Sequence, residues 1–165
     1  MIREQKHRLP KECYRGLIRC AFTLCVENHG ELFRRIDIIR TFNQILKQEL
    51  SRQRIRNWIY VYMPDHLHMI VEGLEESSDL WKAMVVFKQK TGFWLSKNEE
   101  RYSWQKDFYD HLILSDAEFR KQVAYIIDNP VRKGLVKEWN EYAFMGSLDY
   151  EINDVAKLFM MSDNL

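Results

Sequence analysis

Between residues 18 and 27 the chain reads IRCAFTLCVE, an apolar run rich in β-favouring residues that predicts a first strand. The rhythm then changes. From Asp37 to about Ser51, the apolar positions Ile38, Ile39, Phe42, Ile45, Leu46 and Leu50 fall at helical spacing. IRNWIYVYM (55–63) and the stretch from His66 to Glu72 return to strand character, joined only by the turn-forming Pro64-Asp65. So short a connection predicts an antiparallel hairpin. A second long helix is expected from Ser78 or Asp79 to about Leu95, carrying Leu80, Ala83, Met84 and Phe87 on one side. Another strand lies within WQKDFYDHLIL (104–114), with Trp104 expected to be core. Ser115 and Glu118 then form a capping box ahead of a helix over 116–129, which Pro130 is expected to stop. One more short helix is predicted within 150–161. The order β-α-β-β-α-β-α predicts an α+β fold, a ferredoxin-like antiparallel sheet with helices on one side.

Composition narrows the setting. At 165 residues and 46% hydrophobic content, the chain is expected to fold as one domain with its own core. No apolar stretch approaches the roughly 20 residues of a membrane span. The start, MIREQKHRLPKE, lacks the apolar centre of a signal peptide, and Cys13, Cys20 and Cys25 form no C-x-x-C pair. A reduced, cytoplasmic protein without a membrane partner is the expectation. The net charge of +1 conceals an uneven distribution. Arg3, Lys6, Arg8, Lys11 and Arg15 make residues 1–17 a basic N-terminal arm, while Arg52, Arg54 and Arg56 form a second cluster beside the end of the first helix. The tail, 148–165, is acidic. Local basic surface of this kind suits nucleic acid; it also suits an ordinary solvated surface.

The chemistry concentrates in two places. His66 and His68 stand two apart in a predicted strand, so their imidazoles project side by side from one face. That pair suits a metal ion or a phosphate, and equally two half-buried structural histidines. In the helix 116–129, Phe119, Val123, Ile126 and Ile127 form the apolar stripe, with Tyr125 and Asn129 four apart on its flank and Gln122 close by. Two neutral imidazoles and one amide oxygen are the donors that hold a divalent cation while leaving positions open for water and phosphate oxygen. Nitrogen and oxygen donors without cysteine favour Mg²⁺ or Mn²⁺ over a structural Zn²⁺. A tyrosine hydroxyl becomes a useful nucleophile where a metal polarises the phosphate it attacks.

MPDHLHMIV resembles the histidine–hydrophobic–histidine (HUH) motif of single-tyrosine transposases, and WQKDFYDHLILSDAEFRKQVAYIIDNPVRKGLV resembles the C-terminal signature of their REP-associated branch. The likeness runs over roughly residues 12–147. It implies an HUH endonuclease fold over the whole of 1–165, with Tyr125 as nucleophile and His66, His68 and Asn129 as the metal ligands. It further implies a 5′-phosphotyrosine intermediate, release of a 3′-hydroxyl, a single-stranded DNA substrate beside a short hairpin, and a monomeric enzyme. The basic residues Arg3, Lys6, Arg8, Lys11, Arg15, Arg52, Arg54 and Arg56 are then expected to hold hairpin phosphates. Asp65 stands where this family often has Asn and is expected to serve only the turn. Asp128 is expected to point away from the ligands, and His111 to play a structural part. The alternative is a domesticated hairpin-binding protein without transposition activity, against which the retained tyrosine and histidines argue. An RNA-binding module of the same fold would carry aromatic residues on its open sheet face, where this chain has His66 and His68.

Overall fold

The computed structural model of the protein describes residues 8–160. Its centre is a five-stranded antiparallel sheet in the order β4-β1-β3-β2-β5. These strands are β1 (Arg19–Cys25), β2 (Ile55–Met63), β3 (His66–Gly73), β4 (Tyr109–Ile113) and the two-residue β5 (Met145–Gly146). The helices are α1 (Ile36–Arg52), α2 (Leu80–Asn98), α3 (Asp116–Arg132) and α4 (Ile152–Met160). The expected ferredoxin-like order is present, and β2 and β3 form the expected hairpin. β5 and the single-turn helices were not legible in the apolar pattern, because two to four residues carry no period.

Strand alternation divides the core in two. Cys20, Phe22 and Leu24 of β1 and Leu67, Met69 and Val71 of β3 face one way, and α1 and α2 bury them with Phe42, Leu46, Met84 and Phe87. Trp104 joins that layer as expected, its indole N–H donating to Thr91 Oγ1 at 2.8 Å. The opposite face presents Ile59, Val61, Met63 and Ile70, and α3 closes over it with Phe119, Val123, Ile126 and Ile127. The expected one-sided helical layer is therefore α1 and α2; α3 and α4 add a second layer on the other side. The reason is visible in β2 and β3, which bury residues of both parities. A sheet with two apolar faces must be covered twice.

Two helix ends bear on the site. Ser115 Oγ accepts from the Glu118 N–H at 3.1 Å, as the capping box predicts. Pro130, however, does not stop α3. It removes one backbone donor, yet the helix continues to Arg132 and ends at Gly134, which has φ +72°. There the Gly134 N–H bonds to the Val131 carbonyl and the Leu135 N–H to the Pro130 carbonyl, the paired closure of a Schellman end. The extra residues place Arg132 on the helix, which matters below. At the far end of β3, an added Cβ on Gly73 would lie 1.9 Å from the Gly16 carbonyl oxygen, so the segment before β1 is seated against this glycine.

Candidate active site

β3 is hydrogen-bonded on both sides, with His68 opposite Thr23 of β1 and Val61 of β2. His66, His68 and Ile70 share the face that α3 covers, as the alternation requires. The two imidazoles converge at their outer nitrogens, with Nε2 to Nε2 at 3.0 Å. Their inner nitrogens are held from behind. His66 Nδ1 donates to Asp65 Oδ1 at 2.6 Å, and His68 Nδ1 lies 2.8 Å from Thr23 Oγ1. A carboxylate only accepts, so His66 carries a proton on Nδ1.

His68 is the more deeply set. Burial, then electrostatic interaction with the His66 imidazole and the Arg132 guanidinium, pushes its imidazole down to about 3, so it is neutral at working pH. Thr23 can donate or accept. Without an ion, His68 satisfies both groups by donating from Nε2 to His66 while accepting from Thr23. With an ion held here, the His68 proton would sit on Nδ1 and be accepted by Thr23, leaving the Nε2 atoms of His66 and His68 as the donors. The spacing fits: adjacent octahedral ligands about 2.1 Å from an ion stand about 3 Å apart. Carboxylate or hydroxyl support behind a ligating imidazole is what metal sites use to fix the ring.

Asp65 therefore does more than make the turn. Burial acts to raise its carboxyl, but hydrogen bonds and charge from His66 and His29 outweigh this and hold it below the usual range. Its other oxygen lies 3.2 Å from His29 Nδ1. A carboxylate immediately before a strand histidine was the available signal.

α3 packs against β2, β3 and β4 and brings its polar flank to this face. Asn129 is 3% exposed, at the edge of the buried stripe. Tyr125, one turn earlier, is 55% exposed. Among the described residues, neither imidazole is hydrogen-bonded to Tyr125 or Asn129. What connects the two halves is Arg132, not singled out from the sequence. Its guanidinium lies 3.8 Å from the Tyr125 ring centre, and its charge bears on His68. Among the described residues, no three His, Cys, Asp or Glu side chains gather as a complete metal shell, so two imidazoles need other donors. Asp128 is exposed, 3.5 Å from Arg132. His111 pairs with the capping Glu118 at 2.5 Å, the structural part expected of it.

The basic residues are less free than a mobile arm would be. Arg3 and Lys6 lie outside the described residues. Arg8 is built into the fold, stacked 4.4 Å from the Trp81 ring centre and bonded to the Phe108 carbonyl and Asp110. Lys11 is exposed on a single-turn helix. Arg15 pairs with Asp79, Arg52 with Glu49, and Arg54 with Glu75. Arg56 reaches Glu72 and the Tyr150 hydroxyl. No helix among the described residues is long and apolar enough to cross a membrane.

No family model matches the chain. Among curated proteins, it is 32% identical over 120 residues to the REP-associated tyrosine transposase of Escherichia coli K12, covering 67% of this chain and 68% of that one. A Haemophilus influenzae protein named for the same family is 26% identical over 147 residues, covering 79% and 82%. Among solved structures, the fold is similar to that of a REP-associated tyrosine transposase bound to a REP hairpin. The TM-score is 0.72 at 22% identity, covering 86% of this chain and 82% of the other.

Proposed function

The chain belongs to the REP-associated tyrosine transposases, and on that premise we propose that it nicks and rejoins single-stranded DNA beside a short hairpin, through a covalent bond to Tyr125. The observation that carries this reading is the convergence of the His66 and His68 Nε2 atoms at 3.0 Å, with both inner nitrogens held. A divalent ion, Mg²⁺ or Mn²⁺, would be held by those two nitrogens and the Asn129 amide oxygen. When bound, it would supply charge that polarises a phosphodiester. Tyr125 Oη attacks phosphorus, the P–O3′ bond breaks, and the 5′ side stays on the tyrosine. The phenolic proton is lost as the departing 3′-oxygen gains one, so the step is balanced without a further reactant. Its exposure lets Tyr125 meet a strand arriving from solvent.

Hairpin DNA is the partner found on the structural relative, and for this chain we assign its grip to Lys11, Arg15, Arg52, Arg54 and Arg56, with Arg3 and Lys6. Those already paired would exchange carboxylates for phosphates, a trade that weakens as salt rises. The test is covalent capture on a hairpin-bearing oligonucleotide with Mn²⁺. Tyr125→Phe removes only the nucleophilic oxygen, so the adduct should vanish while hairpin binding persists. His66→Ala and His68→Ala should each lose metal binding and cleavage together. An adduct formed by Tyr125→Phe at the wild-type rate would overturn the assignment.

A further inference from the structure

Arg132 lies two helical turns beyond Tyr125, so both project from the same flank of α3. Asp128 stands between them on the helix, and its Oδ2 is 3.5 Å from Arg132 Nη1. The guanidinium carbon sits over the phenol ring, 3.8 Å from its centre. The phenol ring lies on one side of the guanidinium and Asp128 pairs with Nη1; among the described residues, the other N–H donors have no acceptor. An exposed stack of this kind contributes only about 0.5–1 kcal/mol to stability. It does, however, set a permanent cation beside a candidate nucleophile, with its charge felt at His68. A phosphodiester under attack collects negative charge on its non-bridging oxygens, and the guanidinium fork matches that geometry.

We propose that Arg132 contacts the substrate in the strand-cleaving step: it packs on the Tyr125 ring to aim the hydroxyl, and donates its free N–H groups to a non-bridging oxygen of the phosphodiester under attack. This rests on the reading of Tyr125 as nucleophile. Arg132 exchanges no proton; the bonds made and broken are those at phosphorus given above. Its contribution is charge held where charge develops.

The experiment measures the rate of covalent adduct at saturating hairpin oligonucleotide with Mn²⁺, using wild type and Tyr125→Phe as references. Arg132→Met keeps reach and packing but removes charge, and should slow the adduct by about 100-fold, with hairpin affinity unchanged. Arg132→Lys, which keeps charge without the fork, should fall between. A second substrate carries a methylphosphonate at the scissile position, removing the charge of one non-bridging oxygen. Wild type should be strongly slowed by one diastereomer, and Arg132→Met should not distinguish it from the other. If Arg132→Met reacts at the wild-type rate, or answers the methylphosphonate as wild type does, Arg132 touches no phosphate while the role of Tyr125 stands. If Tyr125→Phe still forms the adduct, the nucleophile reading falls and this inference with it. Should Arg132→Met not fold, Arg132→Lys carries the same two comparisons.

Discussion

An imidazole held only by its own backbone samples several ring orientations, and a pair of them rarely agrees on one point in space. Asp65 and Thr23 remove that freedom for His66 and His68, each from the inner nitrogen. The two supports differ in kind. Asp65 accepts only, whereas the Thr23 hydroxyl can donate or accept, according to the His68 tautomer. Asp65→Ala should therefore weaken Mn²⁺ binding by about 10–100-fold, measured by calorimetric titration. Asp65→Asn should retain most of the affinity, because an amide oxygen still accepts from His66 Nδ1. Equal losses in both variants would mean that the carboxylate charge matters, not the hydrogen bond. Strand and helix periods made legible which faces carry the histidines, the tyrosine and Asn129, while their proposed roles came from the resemblance of the surrounding motifs. Thr23 and Arg132 were not legible. Thr23 reaches His68 only through strand pairing across 45 residues, and Arg132 lay beyond a proline that reads as a helix stop.

At the level of elements, the long periodic segments read true. β2 matches its expected bounds, and α1 differs by a residue at each end, because long amphipathic runs leave little choice of face. What escaped was the second helical layer. A tyrosine-bearing helix and a short tail helix give no sign in sequence of which side of a sheet they take; two apolar faces on β2 and β3 decide it. The end of α3 is the other lesson, since closure falls to Gly134 rather than Pro130. Gly134→Ala puts a side chain in the left-handed region and should cost about 1 kcal/mol, read from urea unfolding. Because nothing lies within 4 Å of the position, that cost is conformational, not steric. A neutral result would mean that α3 ends by packing alone.

Across the whole molecule, the two halves of the site sit on parts of very different connectivity. The imidazoles ride on β3, the middle strand, paired along its length with β1 and β2 and packed on both faces. The tyrosine rides on a helix laid over that sheet from outside, backed by α4 and a single-turn helix at Trp139–Glu141. Native-state hydrogen exchange should separate them. β3 amides should exchange only when the entire protein unfolds, while α3 amides should exchange through smaller openings of lower free energy. Equal protection in the two would mean that sheet and helix open as one unit. Unequal protection has a consequence for how long a cleaved strand can be kept. On the proposed chemistry, a DNA end joined to Tyr125 could be carried away from the imidazoles and returned, as the helix lifts and settles, without the His66–His68 pair ever losing its shape.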